Sequence, residues 1–505
     1  MHLKKTDFYA LILALLCTFS AKAQVYLNPF SQYGLGEIQN INQVNDKGLG
    51  GTTYTQTDAN RYNFANPATY SNISYFSFEI GGTSDFYHHS DGVTNFTNFD
   101  PGILYASFAF PIDTAKRWGF SAGIMPYAKL GYQFQTLSTQ NGINESLYST
   151  GIGGLNRFYL GSSIRLFHNF YIGANASLIF GSEQNTLTQT FPDSSTLYGA
   201  HQTANNLTAG LLCDVGFTYD INFSLPYRRK NSDLVNYYSY LKDSLNKLQK
   251  LNSGTGYNSA ANNLNAKIDS LTGKMRMLKD SIRSNEITKK RGYTLQLGGT
   301  CNLPANLPTT QTIDAYTYSS DLSVSDSLAH YVNQSGYIYM PIGIGGSIEL
   351  ASEQNWKIVA SAEYRQWSKL HGLIGVSDSL KLNDYYSFGI GAQITPRRES
   401  GNNIWTTTNY RIGLRYSQMP YIVNGNKVTE MGFSLGAGIP IGTQKVRLLN
   451  RYAEDKPKNW PYLDVALEFG QEGSMALNHL QQQYVMLSFG FHIFEVNWFQ
   501  KHKID

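Results

Sequence analysis

The chain has 505 residues, of which 42% are apolar, 14% aromatic and 15% charged, and its formal net charge is +4. This length allows about two to four ordinary domains, or one large one. A net charge this small, part of which comes from a basic amino-terminal leader, excludes an extended surface for nucleic acid.

Residues 1–23 have the pattern of a secretory signal peptide. Lys4 and Lys5 precede an apolar stretch from Phe8 to Phe19, and a small-residue cleavage pattern ends at Ala23. A helix needs roughly 18 apolar residues to span a bilayer, so this stretch is too short. We therefore expect residues 1–23 to be cleaved and the mature chain to be exported.

Residues 24–74 show no regular period and are rich in Gly, Asn and Thr. Gly48, Gly50 and Gly51 suit tight turns, because glycine adopts backbone angles that other residues avoid. Asn66, Pro67 and Ala68 close the segment. The sequence therefore predicts an irregular segment ahead of the first strand.

From residue 75 onward, apolar and polar residues alternate in a series of strand-like runs. The clearest case is residues 158–180, where alternation on both sides of a three-residue turn predicts a hairpin. We predict fourteen strands, near residues 75–88, 101–111, 118–134, 154–166, 170–183, 204–221, 291–303, 336–352, 356–367, 383–395, 404–417, 431–440, 461–470 and 483–495. Short connections (112–117, 167–169, 353–355, 396–403) interleave with long ones (135–153, 182–203, 304–335, 367–382, 418–430).

The fold class predicted from this pattern is an all-β membrane barrel of about 14 antiparallel transmembrane strands over residues 75–495. A soluble sandwich would also alternate. Three observations favour the barrel: the export signal, strands well above the usual five or six residues, and charges recurring on the polar phase. The apolar face would then contact lipid and the polar face a wet lumen.

An inserted segment at residues 222–290 breaks the alternation. From 232 to 285 the apolar residues repeat every 3.5 positions on both sides of a Gly- and Ser-containing break, which predicts an α-helical hairpin. It follows the sixth strand, so strand parity puts it in the periplasm. Residues 496–505 would form a periplasmic tail, in which Trp498 and Phe499 fit an anchor at the membrane interface.

Two features resemble the FadL family of outer-membrane transporters. The first is the Asn-Pro-Ala motif at Asn66, Pro67 and Ala68, ahead of fourteen predicted strands. The second is Pro126 with Gly131 in the third strand, where proline removes a ladder hydrogen bond. The resemblance implies an amino-terminal hatch inside the lumen at residues 24–74. It also implies a kinked third strand that leaves a lateral gap in the wall.

Five cations fall on the polar phase of the strands and would face the lumen: Arg165, Lys357, Arg365, Arg411 and Arg415. One interpretation is that they hold an anionic head group such as a carboxylate. The alternative is that they pair with Glu349, Glu363, Asp464 and Glu468 and fill the lumen.

No motif predicts catalytic, cofactor-binding or metal-binding residues, so we expect no cofactor and no enzyme activity. His88 and His89 read as a loop pair, while Cys213 and Cys301 read as small apolar residues rather than a disulfide. Asp-Ser-Leu or Asp-Ser-Ile recurs at five places, starting at Asp243, Asp269, Asp280, Asp326 and Asp378. It resembles an acceptor pattern for periplasmic O-glycosylation, and solvated Asp and Ser residues would give the same pattern.

Two functions remain as hypotheses for a barrel of the Gram-negative outer membrane. The first, implied by the resemblance, is passive uptake of hydrophobic small molecules past the hatch and through the gap beside strand three. The second is a non-transporting subunit that acts as a scaffold in an outer-membrane protein secretion or assembly complex. The helical hairpin favours the second, because an exposed coiled coil offers a surface to a periplasmic or outer-membrane protein partner.

Overall fold

The fold comes from a computed structural model, which describes residues 27–39, 42–51, 53–58, 61–113, 117–140, 142–193, 197–229, 232–252, 259–284, 287–319, 324–352, 355–372, 382–396, 404–441 and 461–495. The signal peptide expected at 1–23 and the tail expected at 496–505 lie outside these residues. The chain divides into two compact units, residues 222–293 and the remainder.

Fourteen antiparallel strands form the larger unit. They are β1 Phe76–Ser90, β2 Asn95–Asp113, β3 Trp118–Gln140, β4 Ile143–Phe167, β5 Phe170–Thr190, β6 Gly199–Arg229, β7 Ile287–Asn302 continued by Ala305–Tyr318, β8 Val324–Met340 continued by Gly343–Ser352, β9 Trp356–Arg365, β10 Tyr385–Ile394, β11 Asn409–Val423, β12 Asn426–Pro440, β13 Tyr462–Ser474 and β14 Leu480–Glu495. Each strand pairs with the next, and β14 pairs with β1 from Ser90 to Phe76. The sheet is therefore closed, and the predicted fourteen-strand barrel is confirmed.

The two faces of the wall differ as the alternation predicts. On β4, Phe158 and Leu160 are 40% and 45% exposed, whereas Tyr159 between them is 1% exposed. On β5, Leu178 is exposed and Ser177 is fully buried. The apolar side chains thus cover the outside of the barrel, where they suit lipid, and the polar ones point inward.

Several connections predicted to be long loops are strands in the structure. β3 and β4 remain paired up to Gln140 and Ile143, and β11 and β12 meet at a turn at 424–425. In the same way, β7 and β8 remain paired beyond residue 307 up to Tyr318 and Val324. These extensions lack the regular outward-facing apolar alternation of the wall, and buried apolar residues such as Tyr421, Val423 and Val428 contact Phe30 instead.

The amino-terminal segment, residues 27–74, lies within the barrel. It contains two 3₁₀-helices (Pro29–Gln32 and Pro67–Asn72), a short strand at Glu37–Ile38 and a one-turn helix, α1 (Val44–Lys47). Phe30 packs with Tyr421, Val423 and Val428 at the β11–β12 end, while Tyr70 approaches Gly119 at the start of β3. The segment therefore runs through the lumen from one end to the other.

The smaller unit contains the end of β6, the start of β7 and a pair of helices, α2 (Ser232–Asn252) and α3 (Ser259–Ser284). Leu241 is buried and Leu245, Ile268 and Met275 are half-buried, whereas most neighbouring residues are exposed. The residues at the 3.5-residue repeat are thus the less exposed ones. None of the described helices is long and apolar enough to cross a membrane.

The larger unit has three further short elements. They are the 3₁₀-helix Trp367–Lys369 with the short strand His371–Gly372 after β9, and α4 (Ile404–Thr407) before β11.

Candidate functional site

The glycine-rich turn of the amino-terminal segment lies directly against the barrel wall. Gly50 and Gly51 have φ angles of +87° and +88°, in the left-handed region that favours glycine. A Cβ atom at Gly50 would lie 2.6 Å from the carbonyl oxygen of Leu414, and one at Gly48 would lie 3.0 Å from Cα of Gly436. The Gly50 amide donates to Ser434 Oγ at 3.0 Å. Glycine is therefore needed here for both conformation and close approach.

Asn66, Pro67 and Ala68 begin the second 3₁₀-helix. The Asn66 side chain accepts a hydrogen bond from the Ala68 amide and donates to the carbonyl oxygens of Tyr54 (2.7 Å) and Phe217 (3.0 Å). Pro67 occupies the first turn, where its missing N–H costs nothing. Asn66 thus connects two parts of the amino-terminal segment to strand β6.

Three charged residues of the amino-terminal segment form ion pairs with the wall. Arg61 contacts Asp464 at 2.9 Å, Lys47 contacts Glu468 at 3.0 Å, and Lys357 contacts Asp58 at 2.9 Å. All of these side chains are at least four-fifths buried. The lumen is therefore crossed by a buried ionic network, which fixes the segment to strands β9 and β13.

Four of the five cations that the sequence predicts to face the lumen belong to this region. Each forms an ion pair with one of the four acids that the sequence offered as alternatives to an anionic ligand. The pairs are Lys357–Glu349 at 3.5 Å, Arg365–Glu363 at 2.5 Å, Arg411–Asp464 at 2.7 Å and Arg415–Glu468 at 3.3 Å. Arg165 differs, because it is exposed near the end of β4. The period-2 alternation predicts the face of the strand on which Arg165 lies, but it does not predict how close the residue is to the end of the barrel.

The wall is interrupted between β2 and β3. Their ladder runs only from Asp113–Trp118 to Ala106–Ile124, and β3 shows a register shift against β4 between Pro126 and Ala128. Beyond Ile124, the β2-facing edge of β3 is occupied by the amino-terminal segment, in which Glu37 and Ile38 pair with Lys129 and Ala128.

Two further contacts lie at this interruption. The Asn28 amide donates to the Gly131 carbonyl at 2.7 Å. Lys129 Nζ also lies 2.6 Å from Asp100 Oδ2 on β2. One ion pair therefore bridges the gap that the ladder leaves.

A cavity adjoins this gap. The residues that line it include Leu35, Leu104, Met125, Pro126 and Ile103. Ile103 is also 68% exposed at the barrel surface. Ile103 therefore belongs both to the lining of the cavity and to the outer surface of the wall, at the point where the wall is interrupted.

The contribution of the amino-terminal segment to the ionic network was not predicted. Lys47, Asp58 and Arg61 lie in an irregular stretch, and their partners are hundreds of positions away in sequence. The only sequence signal was the presence of charges in a segment otherwise rich in Gly, Asn and Thr.

Within the described part of the chain, no group of three or more His, Cys, Asp or Glu residues could hold a metal ion. His88 and His89 lie within strand β1, and His89 hydrogen-bonds Asn98 at 2.7 Å. Cys213 and Cys301 are both free, as the sequence predicts.

Comparison with solved structures finds barrels of transport proteins. The "CymD monoaromatic hydrocarbon channel" has 12% sequence identity and a TM-score of 0.48, covering 92% of this chain and 99% of its own. The Pseudomonas putida toluene transporter TodX has 15% identity and a TM-score of 0.48, covering 91% and 98%. A FadL homologue from Pseudomonas aeruginosa has 10% identity and a TM-score of 0.49, covering 91% and 98%.

The last of these is a homologue of FadL, whose family the sequence resembles. No curated protein matches the chain significantly. A family model for BamG matches residues 3–280 and 281–505, which is nearly the whole sequence. The chain therefore belongs to the BamG family.

Proposed function

We propose that the barrel lies in the outer membrane and allows passive uptake of small hydrophobic molecules by a lateral route. The ligand enters among the outer hairpins, occupies the cavity and leaves between β2 and β3. The observation that carries this proposal is the end of the β2–β3 ladder at Ala106 and Ile124, beside a cavity that Leu104, Met125 and Pro126 line.

The lumen supports a lateral rather than an axial route. The amino-terminal segment fills the barrel, and buried ion pairs such as Arg61–Asp464 fix it to the wall. Breaking a buried pair costs several kcal/mol, so a route that displaces the whole segment would carry a high barrier. A lateral exit requires that the contacts of residues 37–39, the hydrogen bonds of Asn28 and Ser31 with Gly131 and the Lys129–Asp100 pair give way.

A bulky side chain in the gap tests this route. Gly102 on β2 faces the gap, and a Cβ atom there would lie 3.6 Å from Lys129 Nζ, so a larger residue can be accommodated. We expect Gly102→Trp to reduce uptake of a fluorescent hydrophobic probe into proteoliposomes at least tenfold. The matched control is Gly346→Trp on β8, where the nearest atom lies at 3.5 Å and the cavity is not involved.

Equal uptake by Gly102→Trp and the unmodified protein would contradict the lateral route. Loss of uptake in both tryptophan variants would point to a general defect of the barrel. Resistance of the folded barrel to SDS before heating shows whether each variant has folded.

A second candidate function, a scaffold in an outer-membrane secretion or assembly complex, is supported by the helical pair α2–α3. Tyr237, Tyr240 and Met277 are exposed on it. Its described side chains also include seven exposed cations but only two exposed carboxylates (Lys242, Lys247, Lys250, Lys267, Lys274, Arg276 and Lys279 against Asp243 and Asp269). Such a surface suits an acidic protein partner.

Deletion of residues 232–285 separates the two functions. With a short Gly-Ser bridge, the deletion should leave uptake intact if transport is the main function. It should abolish co-purification of partners from native membranes if the chain is a scaffold. Recovery of the same partners with and without the helices would exclude the scaffold role of this unit.

A further inference from the structure

The inner wall of the cavity carries an acidic patch on neighbouring strands. In the sheet register, Glu472 on β13 lies opposite Glu430 on β12 and opposite Gln482 on β14. All three are at least nine-tenths buried and line the cavity. Directly opposed residues have Cβ atoms about 5 Å apart, so this row is continuous across three strands.

Three carboxylates that line the cavity have only neutral hydrogen-bond partners. Glu37 accepts from Asn28 at 2.5 Å, Asp85 accepts from Thr83, and Glu472 accepts from Tyr421. The ion pairs among the described residues include none of these three. The cations that line the cavity pair with other acids: Lys47 with Glu468, Lys129 with Asp100, Arg365 with Glu363, and Arg415 with Glu430 and Glu468. The cavity thus has more carboxylates than cations.

The pKa of Glu37 is raised mainly by its burial. Burial raises the pKa of Glu37 to about 7, Lys129 opposes the shift, and the neighbouring acids Asp85, Asp100 and Glu430 add to it. A buried carboxylate without a counter-charge takes up a proton or a cation, because its isolated charge is costly in a medium of low polarity.

Gln482 supplies an independent observation. Its side chain is 2% exposed and lines the cavity, and its Oε1 atom has no hydrogen-bond partner. An amide oxygen only accepts hydrogen bonds, so it calls for a donor. A protonated amine supplies donors to this oxygen and a positive charge to the adjacent Glu472.

The remaining lining fits the rest of such a molecule. The rings of Tyr87 and Tyr484 lie with their centroids 6.5 Å apart and their planes tilted by 59°, and aromatic faces attract cations. Leu104 and Met125 give the cavity an apolar side next to the gap. We propose that the cavity binds an organic cation, a protonated amine with an apolar body, at Glu472 and Gln482, with Asp85 adding negative charge four residues farther along the wall. This deepens the proposed function by naming the ligand class.

One lining atom favours the opposite charge. Arg415 Nε is buried and has no acceptor. However, the two terminal nitrogens of the same guanidinium already contact Glu430 and Glu468, so its charge is balanced. An anionic ligand is therefore included in the test as the competing outcome.

Three probes of matched size distinguish the charge classes: 2-phenylethylamine, 2-phenylethanol and phenylacetate. Binding to the full-length protein in non-ionic detergent at pH 8, measured by calorimetry, should be at least tenfold tighter for the amine than for the alcohol or the acid. The Asp85→Asn/Glu472→Gln variant should lose this preference, whereas Asp314→Asn, at an exposed acid on β7, should keep it.

Gln482→Met keeps all the charges and serves as a second variant. It should weaken amine binding several-fold and alcohol binding less, because the alcohol donates a single hydrogen bond and carries no charge. Equal binding of all three probes, tighter binding of phenylacetate, or full amine binding by both cavity variants would overturn the inference. The result is distinguishable from uptake: an amine that binds but does not cross contradicts the lateral route alone, and uptake of neutral probes without amine preference contradicts the cation site alone.

Discussion

The strongest energetic prediction concerns Asp464, which holds the amino-terminal segment to the wall. Its side chain is fully buried, and its two oxygens contact Arg61 of the segment at 2.9 Å and Arg411 of β11 at 2.7 Å. Arg61 Nη1 and Arg411 Nη2 already lack partners. Asp464→Asn would therefore leave two buried guanidinium groups with no counter-charge at this position.

We expect Asp464→Asn to lower the free energy of unfolding by about 4 kcal/mol, because breaking a buried ion pair costs roughly 3–5 kcal/mol. Urea unfolding in detergent measures this free energy. A separate experiment, trypsin cleavage under native conditions, measures how firmly the amino-terminal segment is held. The control is Asp314→Asn, whose pair with His330 is exposed, so its loss should cost at most about 1 kcal/mol.

A double variant tests the mechanism directly. Because Arg61→Leu removes one of the stranded charges, Asp464→Asn/Arg61→Leu should be less destabilised than the sum of the single changes. If Asp464→Asn costs no more than the exposed control, the ionic network does not fix the segment, and the argument for a lateral route loses its basis.

Three further predictions concern other parts of the chain. Burial raises the pKa of Glu37 to about 7, so the folded state retains a proton that the unfolded chain releases, and stability falls as pH rises from about 4.5 to about 7. Urea unfolding at pH 5 and pH 8 gives the difference in stability between the two pH values, and Glu37→Gln should reduce that difference by up to about 3 kcal/mol. Asn66→Ala removes a helix cap and two hydrogen bonds. The local stability of residues 42–73, measured by their protection from protease, should therefore fall by about 2 kcal/mol. Thr255→Cys should resist a membrane-impermeant thiol reagent in intact cells and react after lysis if residues 232–285 are periplasmic, and labelling of intact cells would contradict the strand parity.

Most of the barrel could be predicted from sequence because lipid imposes one chemical rule on the outside. Phe158, Leu160 and Leu178 face outward, and the residues between them face inward, so period-2 alternation marks each spanning strand. This rule ends where the strands extend further, since residues 135–139 are exposed on both faces of β3. The same strands continue there without the pattern that would reveal them.

The interior of the site was less predictable, for a different physical reason. The pairing of Arg411 with Asp464 joins the polar faces of β11 and β13 across the intervening strand β12, and the sequence allowed it. Arg61 joins the same carboxylate from a segment without any period. No local sequence pattern predicts that contact. A buried charge is compensated by an opposite charge that lies near it in the closed barrel, and that residue can be far away in the sequence.

Pro126 shows how one local rule has a consequence for the whole wall. The proline has no N–H, and β3 shifts register beside it. The edge that β3 would have offered to β2 pairs instead with Glu37 and Ile38. This strand addition satisfies the backbone of β3 with two residues rather than a full ladder. The gap can therefore open at the cost of a few hydrogen bonds, the contacts of Asn28 and Gln39, and the Lys129–Asp100 pair, while the fourteen-strand ring stays closed at its base. The proposed lateral route would use this weak point rather than the axis of the lumen, in which the amino-terminal segment lies.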